Sequence, residues 1–131
     1  MIERILSKKI SALLDGRKAI TIMGARQVGK STLLQMMLGE RKDVMWLNGD
    51  EPDIVEILGN MTSPRLKAMI GNNTIIVIDE AQRIPDIGLR LKLIIDQIPD
   101  VQVIATGSSS FDLSNKLNEP LTGRKREFKM Y

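Results

Sequence analysis

The sequence predicts an α/β fold, a three-layer αβα sandwich built on a five-stranded, mostly parallel sheet. Three observations predict it. Apolar segments of strand length alternate with segments of helical periodicity along the 131 residues. A glycine-rich loop joins the first strand to a helix, and the third strand ends in two acidic residues. Because strands that alternate with helices form right-handed βαβ units, helices are expected on both faces of the sheet.

The predicted elements run through the whole chain, residues 1–131, which is expected to form a single domain. Strands are predicted at 18–23, 44–47, 74–78, 101–105 and 126–131. Helices are predicted at 2–14, 31–38, 52–58, 63–70, 88–98 and 110–117. Pro52 suits the first position of its helix, and Ser63-Pro64 resembles an N-cap followed by a first-turn proline.

Composition restricts the chemistry that the chain can perform. It has no cysteine and no histidine, so disulfides, thiolate or imidazole metal ligands and histidine-based catalysis are excluded. Chemistry must come from carboxylates, lysine, arginine, hydroxyls or a metal held by oxygen. The net charge of +3 permits contact with nucleic acid without indicating it, and 3% aromatic residues argue against a base-stacking platform. A charged N-terminus and short apolar runs predict a soluble, cytoplasmic protein with no membrane segment.

The loop after the first strand carries the most specific motif. Residues 24–32 match the pattern G-x-x-x-x-G-K-S, the Walker A phosphate-binding loop, in its required strand–loop–helix context. The predicted phosphate-binding residues are Gly24, Ala25, Arg26, Gln27, Val28, Gly29, Lys30, Ser31 and Thr32. The glycines let the backbone approach phosphate oxygens, Lys30 brings a cation to the β- and γ-phosphates, and the Ser31 hydroxyl is a ligand for Mg²⁺. The alternative is a chance match in a glycine turn, which the flanking strand and helix argue against.

The third strand supplies the second half of the predicted site. Residues 75–80 read Ile-Ile-Val-Ile-Asp-Glu, the Walker B pattern of an apolar strand followed by acids. Catalytic groups gather at the carboxyl ends of parallel strands, where this motif and the glycine-rich loop would meet. Asp79 is predicted to hold Mg²⁺, and Glu80 to orient a water for attack on the γ-phosphate. The alternative is that both acids only cap the turn that follows.

The end of the fourth strand offers a polar residue for the same site. Residues 105–110 read Ala-Thr-Gly-Ser-Ser-Ser. Thr106, with Ser108 as the second choice, is predicted to lie beside the γ-phosphate, between the two Walker motifs, and to sense its presence. An ordinary polar turn that leads to an N-cap is the alternative.

With these motifs in order, the chain resembles AAA-type P-loop ATPase domains. More narrowly, it resembles the prokaryotic AAA-domain ATP-binding proteins that carry an additional C-terminal domain. Residues 24–32, 78–85, 106–110 and 121–124 carry this resemblance. It implies binding of ATP and Mg²⁺ by the residues named above, and it places Arg124 before the last core strand as an arginine finger or interface residue. A solvated turn at 124–126 is the alternative for that arginine.

The resemblance also implies a longer protein. Family members continue past this point, so the chain is expected to be an N-terminal fragment without its C-terminal domain. The amphipathic helix at 2–14 either covers one sheet edge or packs near the adenine of a bound nucleotide.

Two functions of different class stay open from the sequence. The first is Mg²⁺-dependent ATP hydrolysis by a water that Glu80 activates. The second is a nucleotide-gated binding or regulatory module with little hydrolysis, because a missing arginine finger can cost ~10³–10⁵ in rate. Homo-oligomerisation is compatible with either function. Association with DNA, suggested by the basic stretch 124–126, and a small-molecule kinase without an evident second substrate pocket are further alternatives.

Overall fold

The computed structural model describes residues 19–23, 30–60, 62–107 and 125–129. The strands are β1 (Ala19–Met23), β2 (Val44–Asn48), β3 (Ile75–Asp79), β4 (Gln102–Gly107) and β5 (Lys125–Lys129). The helices are α1 (Lys30–Leu38), α2 (Pro52–Asn60), α3 (Ser63–Ile70) and α4 (Ile87–Gln97), and a 3-10 turn spans Ala81–Arg83. Strands and helices therefore alternate as the sequence predicts.

All five strands form one sheet in the order β2-β3-β4-β1-β5, and every neighbouring pair is parallel. The connection from β3 to β4 runs through α4 and brings β4 between β1 and β3. At the carboxyl end of the sheet, Asn48 pairs with Asp79, and Ile22 pairs with Thr106. The predicted α/β fold class with a parallel sheet is confirmed.

Helices cover both faces of the sheet because alternate residues of each strand point to opposite sides. One face packs against α1, and its buried residues are Ile20, Ile22, Leu33, Leu34, Leu38, Ile75, Val77 and Ile104. The other face packs against α2, α3 and α4. Its central buried residues include Met23, Leu47, Leu58, Leu66, Ile76, Ile78, Leu91, Ile94, Val103 and Ala105. Central strands that are apolar on both sides explain why their sequences are continuous apolar runs.

Three strands end later than their apolar runs predict, and β2 does so by one residue, at Asn48. β3 includes Asp79, because this residue still pairs with Asn48 of β2. β4 continues to Gly107, which pairs with Met23 of β1, so Thr106 lies within the strand and not in the turn after it. Pairing between parallel neighbours, which a single segment does not reveal, decides where these strands end.

The start of α3 differs from its prediction by one residue. The N-cap is Thr62, without a side-chain capping bond, and Ser63 is already the first helical residue. The predicted helices at 2–14 and 110–117 lie outside the described residues. Within the described part of the chain, no helix combines the length and apolar character that crossing a bilayer requires.

Candidate functional site

Polar side chains meet at the carboxyl edge of the central strands. Asn48 ends β2, Asp79 ends β3, and Thr106 is the penultimate residue of β4. Because the strands are parallel and adjacent, these three residues lie side by side. In open α/β sheets, ligands bind outside this edge. The edge is therefore the candidate functional site.

A hydrogen-bond network joins β4 to the end of β3. The hydroxyl of Thr106 donates to Oδ1 of Asp79. The backbone N–H of Glu80 donates to the same Oδ1 at 3.1 Å and lies 3.3 Å from the Thr106 Oγ1. Thr106 is completely buried, whereas Asp79 is partly exposed. The network fixes the orientation of the Asp79 carboxylate and leaves the residue within reach of solvent.

Glu80 adopts a conformation that is uncommon for a glutamate. Its backbone is left-handed, with φ 51° and ψ 45°, and the residue is only 7% exposed. The side-chain amide of Gln82 donates to Oε2 of Glu80 at 2.8 Å. A left-handed residue other than glycine is held in place by its surroundings and is frequent at functional sites. Glu80 precedes the 3-10 turn without a side-chain capping bond, which argues against the purely capping alternative for this acid.

The turn between β2 and α2 packs against the same acids. The N–H of Gly49 donates to the carbonyl oxygen of Asp79 at 2.7 Å. Within the turn, the Asp50 N–H donates to Oδ1 of Asn48 at 2.9 Å. Nε of Arg83 lies 3.4 Å from Oδ1 of Asp50, so a salt bridge connects the turn to the segment after Glu80. The predicted strand at 44–47 and helix at 52–58 leave residues 48–51 as a connection only, because nothing local indicates their contact with the acids.

The structure places only part of the predicted site. Asp79, Glu80 and Thr106 are brought together as expected from the strand pattern. The loop 24–29, Ser108 and Arg124 lie outside the described residues. The α1 backbone begins at Lys30 and continues through Ser31, whose side chains likewise lie outside the described part, and Thr32 is exposed. The chemical roles of all these residues stay predictions.

The described residues agree with one kind of metal site. They contain no group of three or more His, Cys, Asp or Glu residues that could hold a metal ion. Mg²⁺ in nucleotide sites needs only one or two carboxylates, because phosphate oxygens and water complete its coordination. The partly exposed Asp79 is an oxygen donor of that type. The residues therefore fit Mg²⁺ that is shared with a nucleotide better than an ion held by protein alone.

Comparison with known proteins identifies a family for most of the chain. Residues 16–131 match the model of a family described as an AAA domain. Uncharacterized proteins of Mycobacterium bovis and Mycobacterium tuberculosis are each 28% identical over 122 residues, which cover 92% of this chain and 26% of theirs. The chain thus spans about a quarter of the length of the curated relatives it matches.

Solved structures share the fold at low sequence identity. The Walker-type ATPase of Pyrococcus abyssi has a TM-score of 0.65 and 19% identity, over 95% of this chain and 52% of that chain. Drosophila ORC bound to DNA has a TM-score of 0.68 and 15% identity, over 98% of this chain and 89% of that chain. The Aeropyrum pernix ORC1 protein in complex with DNA has a TM-score of 0.64 and 13% identity, over 98% of this chain and 44% of that chain.

Proposed function

The chain belongs to the AAA domain family, and on that premise we propose that it binds ATP with Mg²⁺ and hydrolyses the bond between ADP and the γ-phosphate. Nucleotide binding follows from the family. One observation supports hydrolysis in particular. Thr106, Asp79 and the backbone of Glu80 form one hydrogen-bonded unit at the carboxyl edge of the sheet. The unit places two acids with different surroundings next to each other, which suits two different roles.

The two acids divide the chemistry. Asp79, with the Ser31 hydroxyl, would hold Mg²⁺, which neutralises charge on the phosphate oxygens when it is bound. Glu80 orients the attacking water and accepts its proton, while the water oxygen bonds to the γ-phosphorus and ADP leaves with the bridging oxygen. The predicted role of Lys30 is to bind the β- and γ-phosphates. Thr106 keeps Asp79 oriented, and its predicted place is beside the γ-phosphate.

The substitution Glu80→Gln tests this division of roles. It keeps the size of the side chain and its ability to bond with Gln82, but it removes the base. We expect ATP affinity within about twofold of the wild type and phosphate release slower by on the order of 10²-fold or more, the usual contribution of a general base. Glu56→Gln, at an exposed position on α2, is the matched control and should leave both quantities unchanged.

Each result leads to a different conclusion. Equal turnover in Glu80→Gln and wild type would remove Glu80 from the mechanism. Saturable ATP binding with no phosphate release from the wild type would favour a nucleotide-gated binding module instead of an ATPase. Failure of the wild type to bind ATP would contradict the proposal as a whole.

A second candidate function is ATP hydrolysis coupled to DNA. The net charge of +3 permits it, and fold similarity to two proteins whose structures contain DNA favours it. Duplex DNA should then stimulate phosphate release, and the stimulation should weaken steeply as salt rises, because phosphate contacts release counterions. Turnover that is indifferent to DNA at low salt would exclude this candidate.

A further inference from the structure

Gly49, in the turn between β2 and α2, lies directly against the backbone of Glu80. An ideal Cβ built on Gly49 would overlap the carbonyl oxygen of Glu80, at 3.0 Å from its carbonyl carbon and 3.1 Å from the Asp79 carbonyl oxygen. Gly49 itself is buried and has no positive φ. A glycine is therefore needed here because a side chain would not fit, and not because the backbone adopts a positive φ.

The contact is a hydrogen bond as well as a close approach. The Gly49 N–H donates to the Asp79 carbonyl oxygen at 2.7 Å. That oxygen belongs to the peptide that leads into the left-handed Glu80, with φ 51°. One residue thus binds the peptide before Glu80 and packs against the peptide after it. Both peptide planes that define the backbone of Glu80 are restrained from the side of β2.

Neighbouring contacts hold the turn in this position. Asn48 pairs with Asp79 in the sheet and accepts the Asp50 N–H on its side chain at 2.9 Å. The Arg83–Asp50 salt bridge, at 3.4 Å, connects the far side of the turn to the segment that follows Glu80. The segment from Asp79 to Arg83 is therefore contacted by the turn at its start and at its end.

We propose that Gly49 is a positioning residue for Glu80: its N–H and its lack of a side chain hold the backbone of Glu80 left-handed, so that the carboxylate faces the nucleotide edge. This inference rests on the proposed hydrolytic function. Side-chain direction follows backbone angles, so a shift of the Glu80 peptides moves its carboxylate relative to the attacking water. Misplacement of a catalytic group by about 1 Å can cost on the order of 100-fold in rate.

The test compares Gly49→Ala with Gly59→Ala. Gly59 is a matched control because it lies within α2 and a Cβ there would meet no atom within 4 Å. For Gly49→Ala we expect kcat lower by on the order of 100-fold, with the ATP dissociation constant within about twofold of the wild type. For Gly59→Ala we expect both constants to stay at wild-type values and Tm to stay equal or rise.

Amide hydrogen exchange gives a readout that needs no turnover. In the wild type without nucleotide, the amide of residue 49 should exchange slowly, because it is buried and bonded to Asp79. Fast exchange there would overturn the inference even if the Gly49→Ala variant failed to fold. In a folded Gly49→Ala variant, exchange at residues 49 and 80 should accelerate, and Gly59→Ala should leave it unchanged.

The outcomes separate this inference from the proposed function. If Gly49→Ala matches Gly59→Ala in kcat, or loses ATP affinity to the same degree as kcat, Gly49 does not act through Glu80. If Glu80→Gln hydrolyses ATP like the wild type, the proposed role of Glu80 in hydrolysis fails, whatever exchange shows at residue 49. Slow exchange in the wild type together with a selective loss of kcat in Gly49→Ala supports both.

Discussion

The hydroxyl of Thr106 donates a hydrogen bond to the carboxylate of Asp79, across 27 residues of sequence. The contact exists because β4 lies between β1 and β3, where its end is adjacent to the acids. Thr106 is also 3.3 Å from the backbone nitrogen of Glu80. A substitution at Thr106 is therefore expected to change the positions of both acids.

Replacing Thr106 with valine should impair turnover more than binding. Valine has the same shape but removes a donor to Asp79 and an acceptor near Glu80, so both acids lose a restraint. We expect about 1–2 kcal/mol lower stability, the usual cost of a buried hydrogen bond that is lost. We expect kcat to fall about tenfold, because the acids are less well oriented. Denaturant unfolding and single-turnover kinetics measure these effects.

Thr21→Val is the matched control for that substitution. Thr21 is also a buried threonine in a central strand, but it lies in the middle of β1, where its register partners are Ala105 of β4 and Glu127 of β5. It should lower stability by a similar amount and leave kcat near the wild-type value. A similar loss of kcat in both variants would indicate that the effect of Thr106→Val is general destabilisation.

Asp79→Asn should weaken the dependence on Mg²⁺. The amide keeps the size of the carboxylate but removes its negative charge, which attracts a hard cation. We expect the Mg²⁺ concentration for half-maximal turnover to rise at least tenfold, as for loss of a metal-ligating or supporting group. Asp53→Asn, at an exposed position in the first turn of α2, is the control. An unchanged Mg²⁺ requirement in Asp79→Asn would contradict its predicted role as a ligand.

Two leucines of α4 should differ sharply in their contribution to stability. Leu91 is completely buried against the sheet, whereas Leu89, two residues earlier, is 57% exposed. We expect Leu91→Ala to lower the free energy of unfolding by about 2–5 kcal/mol, from lost burial and the resulting cavity. Leu89→Ala should change it by less than about 0.5 kcal/mol. Equal losses in urea titrations would mean that α4 presents a different face to the sheet.

Asp43 should make stability depend on pH in the acid range. Its carboxylate accepts hydrogen bonds from Nε and Nη2 of Arg41, at 2.9 and 2.7 Å, and from the Thr74 hydroxyl. The Arg41 bonds, followed by the Thr74 bond, hold the pKa of Asp43 well below its ordinary value. The unfolded chain protonates this carboxylate near pH ~3.9. Its stabilising effect is therefore complete above that pH and is lost as the pH falls further.

The substitution Asp43→Asn measures this contribution. At pH 7 the wild type should have the higher Tm, and the difference should shrink as the pH falls below about 4. The difference should also shrink at high salt, because Asp43 and Arg41 are partly exposed. Asp100→Asn, in the exposed turn before β4, is the control. A Tm difference that stays constant from pH 7 to pH 3 would show that the carboxylate charge does not stabilise the fold.

Most of the architecture was predictable from local patterns. The alternation of strands and helices predicted the sandwich, with helices on both faces of the sheet. The bounds of β3 and β4 were less predictable. Their polar ends, Asp79 and Thr106, belong to strands only because neighbouring strands pair with them. Thr62, rather than Ser63, begins α3 as its N-cap, and both residue types suit that position, so sequence did not distinguish them.

The sequence by itself determined the type of fold and the residues that are candidates for phosphate and metal chemistry. Periodicity and short motifs express these properties within about ten residues of chain. Only the tertiary structure decided that the Thr106 hydroxyl bonds to Asp79 and that Gly49 packs against Glu80. These contacts join segments far apart in sequence. They follow from the order and register of the strands, which depend on how all the apolar faces pack together.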